Sequence, residues 1–237
     1  MTRRARLALG LGGVAVILAV AGGALAARRD ATPPPPTTGD AAQDDLRDAR
    51  TKGAPGAPIT VLEVADFQCP ACRVFAVETM PLLQREYVDP GKVKFVFVNF
   101  PLVQIHPNAA AAHEFAMCAA LQDRFWPVHD MLFDQQPVWT RLDDPSAYFF
   151  SVAAAVGISA DSIDACLKTG EARALVLREA QGVAGAGVRS TPSFVIEGGL
   201  LAGAAPIEEW RPILDSIYEA KTGEASVKRD QGVKRER

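Results

Sequence analysis

The chain has 237 residues, 49% hydrophobic and 22% charged, an ordinary globular composition that is long enough for a sizeable core. Its formal net charge of -3 gives no footing for a nucleic-acid binder. Four cysteines are too few for a disulfide scaffold at this length, which leaves redox residues, metal ligands or one structural bridge.

Residues 1–6 carry Arg3, Arg4 and Arg6, and Leu7 to Ala27 then holds no charge. Such a run is about long enough to span a hydrocarbon core of roughly 30 Å as a helix. Basic residues ahead of it place the N-terminus in the cytoplasm and the remainder outside. Residues 7–27 are therefore a signal-anchor or a cleaved signal peptide. Ala24-Leu25-Ala26 offers a cleavage site, and Arg28-Arg29 directly after it favours the anchor. Both readings export the folded part. Residues 28–56 read as a Pro-rich linker, with Pro33 to Pro36 extended and stiff.

From Pro58 the pattern becomes globular. Ile59 to Val64 is a buried strand, followed at once by Cys69-Pro70-Ala71-Cys72 and an apolar-periodic helix to about Tyr87, kinked near Met80-Pro81. Pro70 suits the first helical position. Cys69 then sits at the helix N-terminus, where free N–H groups and the positive dipole end favour a thiolate. Asp89-Pro90-Gly91 is a turn, and Val93 to Phe100 is the strongest strand in the chain. Residues 107–182 read as helical throughout. Strands return at Ser193 to Ile196 and Leu200 to Ala202 around Gly198-Gly199. Pro206 to Lys221 is a final helix with Ile207, Trp210, Ile213, Leu214 and Ile217 on one face, and 222–237 is a charged tail. The order predicts a mixed α/β sheet with flanking helices and an all-helical insertion.

A Cys-x-x-Cys pair is also half a zinc site, but Cys118 and Cys166 stand alone and His106, His113 and His129 form no close ligand pair, so no metal is expected. Arg73 stands where c-type haem attachment requires histidine. Gly185-Ala186-Gly187 lacks the preceding strand and third glycine of a dinucleotide loop, and no cofactor is expected. The three histidines read as structural, and Phe125, Trp126, Phe133 and Trp139 as core of the insertion.

The segments Ala57 to Val61 and Asp66 to Cys72 resemble the DsbA-like branch of the thioredoxin superfamily. So do Asn99-Phe100-Pro101-Leu102, His106-Pro107, Phe125-Trp126 with His129-Asp130, and Val188 to Phe194. The similarity spans about residues 53–220 and is nearest to exported, membrane-linked bacterial thiol oxidoreductases. It implies a thioredoxin fold over 57–106 and 183–221, interrupted by the helical insertion 107–182. It also implies that Cys69 is the nucleophile and Cys72 the resolving cysteine. Pro192 matches the cis-proline facing the disulfide, preceded by Thr191, and with Pro70 and Ala71 these residues would meet an extended substrate chain. Glu63 matches a buried acid that exchanges a proton with the resolving thiol. Cys118 and Cys166, left over in an oxidising compartment, are expected to pair, the alternative being two free thiols.

The implied activity is the introduction of disulfides into unfolded or partly folded exported proteins, with reoxidation by a membrane partner of DsbB or VKOR type. Disulfide reduction or isomerisation at the same site is the alternative, because Ala71 replaces the histidine that often precedes the second cysteine in DsbA proteins. A non-catalytic exported chaperone with a structural disulfide is the reading from another class. A monomer is expected, with no nucleic-acid partner.

Overall fold

The structure is a computed structural model that describes residues 45–224. The segment 7–27, expected to be an anchor or signal, lies outside the described residues. Among the described residues no helix is long and apolar enough to cross a membrane.

Five strands form one sheet in the order β1-β3-β2-β4-β5. β2 (Ile59–Ala65) and β3 (Val93–Asn99) run parallel at the centre, and β1 (Thr51–Lys52), β4 (Ser193–Ile196) and β5 (Gly199–Ala202) join antiparallel. A parallel pair needs a crossover, and the helix after the cysteines supplies it. That helix, α1, begins as an α-turn at Pro70–Val74. It widens to a π segment at Phe75–Thr79, tightens at Met80–Leu83 and widens again at Gln84–Val88. At the kink expected near Met80-Pro81, the α-turn that holds Pro81 is flanked by π segments, a common response of a helix to an inserted proline.

Between β3 and β4 lie α2 (Ala109–Ala120), α3 (Phe125–Asp134), the single turn α4 (Gln136–Trp139), α5 (Ser146–Ala155), α6 (Ala160–Thr169) and α7 (Glu171–Gly185). The Oγ of Ser159 caps α6 by accepting from the Ser162 N–H, and Gly170 ends it at φ 72°. α8 (Ile207–Thr222) closes the chain and buries Ile207, Trp210 and Leu214. The fold is a thioredoxin fold with a helical insertion.

The spacer expected over 28–56 is shorter than the sequence suggests. Residues 45–49 are helical and Thr51–Lys52 pairs with β3. The cause is Arg50, 3% exposed, whose Nη1 donates to Phe97 O at 2.9 Å and to Glu179 at 3.0 Å.

Residues 59, 61, 63 and 65 of β2 point to one face. Ile59 and Val61 enter a core with Phe75, Phe95, Phe194 and Trp210. Ala65 enters a second core with Phe67, Cys72, Phe97 and the insertion helices. Glu63 falls between the two.

A buried dithiol and its supports

Cys69 caps the start of α1 in extended conformation, with Pro70 in the first turn. Its residue is 7% exposed and Cys72, one turn on, is 0% exposed; both are free thiols. Cys69 Sγ lies 3.4 Å from Thr191 O, in the loop that enters β4 through the cis Thr191–Pro192 bond. Cys72 Sγ lies 3.5 Å from the Asp66 N–H. The structure thus brings Cys69, Pro70, Ala71, Cys72, Thr191 and Pro192 together; Glu63 lies in β2, in register with Phe97 and Phe194. Cys118 and Cys166 are elsewhere, joined by a disulfide between α2 and α6.

The two thiols are not equivalent. Cys69 is drawn down from the usual 9.0 to about 6, first by a hydrogen bond from Cys72, then by Thr191 and the amides of Cys72 and Ala71, against burial. These are the donors that a helix N-terminus offers an anion. Burial pushes Cys72 well up, and the neighbouring Cys69 adds to it. The buried Thr191 hydroxyl is spent on no other group and, lying near both sulfurs, favours the charged form of either.

Glu63 is fully buried, and neither carboxyl oxygen has a hydrogen-bond partner. Burial raises it from 4.5 to about 8; Lys52 opposes this and Asp130 adds to it. Both of those residues line an open groove of about 570 Å³ between α1 and α3, and Lys52 Nζ sits 4.3 Å over the Trp126 ring.

Three residues near the dithiol escaped the sequence reading. Asp66 Oδ1 accepts from the Gln68 N–H at 2.8 Å, while Oδ2 meets the Leu102 N–H at 2.8 Å and His106 Nδ1 at 2.7 Å. His113 accepts from the Phe67 N–H, and Gln136 donates to the carbonyls of Phe67 and Cys69. Only the Asp66-Phe67-Gln68 triplet before the cysteines and the paired His106-Pro107 signalled any of this. Among the described residues no His, Cys, Asp and Glu side chains form a set placed to hold a metal.

A thioredoxin family model matches residues 46–216. The chain belongs to the thioredoxin family. Probable disulfide bond formation protein D of Bacillus anthracis is 40% identical over 84 residues, 35% of this chain and 39% of that protein. The chain thus matches about two fifths of the length of that curated relative. BdbD from Bacillus subtilis in its oxidised crystal form superposes with a TM-score of 0.65 at 24% identity, over 72% of this chain and 92% of that one. Wolbachia pipientis α-DsbA1 gives 0.65 at 20% identity, over 73% and 92%. Both likenesses concern the fold, a thioredoxin sheet carrying a helical insertion. Within that thioredoxin frame, the Cys-x-x-Cys occupies the junction of β2 and α1.

Proposed function

We propose that the chain is an exported protein thiol:disulfide oxidoreductase that introduces disulfides into other proteins. One observation carries this reading: Cys69, 3.4 Å from Thr191 O, has its thiol drawn down to about 6, while its partner Cys72 is fully buried and pushed up. In the oxidised form a substrate thiolate attacks Cys69 Sγ, the Cys69–Cys72 bond breaks and its electron pair goes to Cys72. A second substrate thiolate then attacks the substrate sulfur of the mixed disulfide and Cys69 leaves. The substrate gains one disulfide and the enzyme is left with two thiols. Glu63 supplies the proton that Cys72 takes up on leaving. Thr191, Pro192, Pro70 and Ala71 form the surface that meets the substrate main chain, and the exposed Val103 and Ile105 lie on the loop pinned to Asp66.

The direction follows from the thiolate. A lowered nucleophile stabilises the reduced enzyme and makes the disulfide an oxidant. Ala71 in place of histidine keeps the effect below the extreme. We expect a reduction potential between about -270 and about -120 mV. The name of the Bacillus anthracis relative supports oxidation over reduction or isomerisation.

The remaining assignments belong to the same reading. Residues 57–106 and 183–221 form the thioredoxin part and 107–182 the insertion. Residues 7–27 hold the protein at the membrane on its extracytoplasmic side, and a quinone-linked membrane protein of DsbB or VKOR type reoxidises it. Carbonate extraction of membranes from cells expressing the full chain tests the tether. The activity is tested with a reduced, unfolded protein: wild type oxidises and refolds it with turnover, and Cys69→Ser does not. Equal rates for the two overturn the reading and leave a chaperone.

A further inference from the structure

Gln136 is the first residue of α4 and 5% exposed, and its side-chain amide uses both protons on the bend that carries Cys69. Nε2 lies 2.8 Å from Phe67 O and 2.9 Å from Cys69 O. One nitrogen thus closes the Phe67-Gln68-Cys69 bend from outside the thioredoxin part. The residue between the two carbonyls is fixed as well, because Gln68 Oε1 accepts from the Asn108 N–H at 2.7 Å. The Phe67 ring is held by stacking on Phe97 at 4.9 Å and by Phe133 at 5.1 Å.

The N–H₂ group between the two carbonyls fixes their direction and, with it, the bend that delivers Cys69 to the start of α1. Without it, Phe67 O loses its donor in a buried site, an arrangement that drives the bend to rearrange. Cys69 O would keep the Arg73 N–H, 3.2 Å away, which belongs to the helix and does not hold the bend.

We propose that Gln136 is a positioning residue for Cys69: by gathering the Phe67 and Cys69 carbonyls on one nitrogen, it holds Cys69 Sγ at the first amides of α1. The insertion thereby sets the reactivity of a cysteine in another part of the fold. The inference rests on the oxidoreductase reading for its purpose and on the geometry alone for its effect on the thiol.

The test compares the full wild-type chain with Gln136→Glu, which keeps the shape and loses the donors when ionised, and with Gln136→Met, which keeps the length and loses polarity. The readout is the rate of iodoacetamide labelling of Cys69 against pH in the reduced protein. Both variants are expected to move the midpoint upward by about half a unit or more, a roughly twofold or greater slowing of labelling at pH 6, with the larger shift for Gln136→Glu. Folded variants whose midpoints stay within about 0.2 units of wild type overturn the proposal. If the variants do not fold, the wild type decides. The Gln136 side-chain N–H₂ resonances should follow the Cys69 titration, and resonances that stay fixed through it overturn the proposal. Comparing wild type with Cys69→Ser in the oxidation assay tests the oxidoreductase reading separately. That reading can fail while the labelling shift stands, and the reverse.

Discussion

The main-chain N–H of Phe67 points at Nε2 of His113, 3.3 Å away across 46 residues of chain. The tautomer follows from the next bonds. Asn99 Nδ2 donates to Glu179 Oε2 at 2.7 Å, so its Oδ1 faces His113 Nδ1, also at 2.7 Å. His113 therefore carries its proton on Nδ1 and accepts on Nε2, neutral and buried, as a link between β3 and the bend before Cys69.

Burial pushes His113 from 6.5 down to about 4, with Asp66 and Glu179 acting against it. Between those values the unfolded chain binds a proton that the folded one refuses. Stability is thus lost as pH falls from about 6.5 to about 4 and levels off below, a loss on the order of 3 kcal/mol. Urea unfolding at a series of pH values should show this slope in the difference between wild type and His113→Gln. His113→Leu should cost about 2–4 kcal/mol at neutral pH by leaving the Phe67 N–H unpaired.

Glu63 runs the other way. Its folded value of about 8 lies above 4.5, so the folded protein keeps a proton that the unfolded chain releases. Stability conferred at low pH is lost as pH rises from about 4.5 to about 8 and is flat above. Glu63→Gln, similar in shape and always neutral, should match wild type near the lower limit and exceed it at pH 8 by several kcal/mol. The same substitution should slow release of Cys72 in single-turnover oxidation by about tenfold to a hundredfold. A variant that reacts at the wild-type rate removes Glu63 from the proton path.

Arg50 meets Glu179 with both guanidinium nitrogens, Nη2 to Oε1 at 2.9 Å and Nη1 to Oε2 at 3.0 Å, at 4% and 20% side-chain exposure. Breaking a pair this buried leaves an uncompensated carboxylate. Arg50→Met should lower the unfolding free energy by about 3 kcal/mol in denaturant titration. A chain begun at Ala57 should show at least that loss, since it also lacks β1.

The Cys118–Cys166 bridge closes a separation of 48 residues. The loop-entropy account gives about 4 kcal/mol for its removal. The double variant Cys118→Ser/Cys166→Ser should melt lower by that order and keep its oxidation rate per folded molecule, because the bridge ties α2 to α6 and leaves Cys69 and Cys72 as the free thiols. Peptide mass spectrometry without reduction checks the pairing itself.

What the sequence showed was local. β2, the cysteine pair and α1 announce themselves by an apolar run, Pro70 and a 3.6-residue period. The β4–β5 hairpin announces itself by Gly198-Gly199. β1 is two residues with no pattern, and it exists because Arg50 is held by Phe97 and Glu179, both far along the chain. Gln136 and His113 were illegible for the same reason. A glutamine before proline and a histidine in an alanine-rich helix say nothing until folding sets them against Phe67. The π segments of α1 left no signal beyond Pro81.

Cys72 has no face toward solvent, while Cys69 has a small one. The dithiol therefore has a single chemical door. Every adduct of this pair with an outside thiol or alkylating reagent must form at position 69. Each disulfide adduct then stands next to an internal sulfur that nothing outside can occupy first. Replacing that inner sulfur should leave the door open and the latch missing, so that Cys69 in Cys72→Ala, attacking a client disulfide, releases one client thiolate and keeps the other client sulfur in a mixed disulfide that no enzyme thiol can displace.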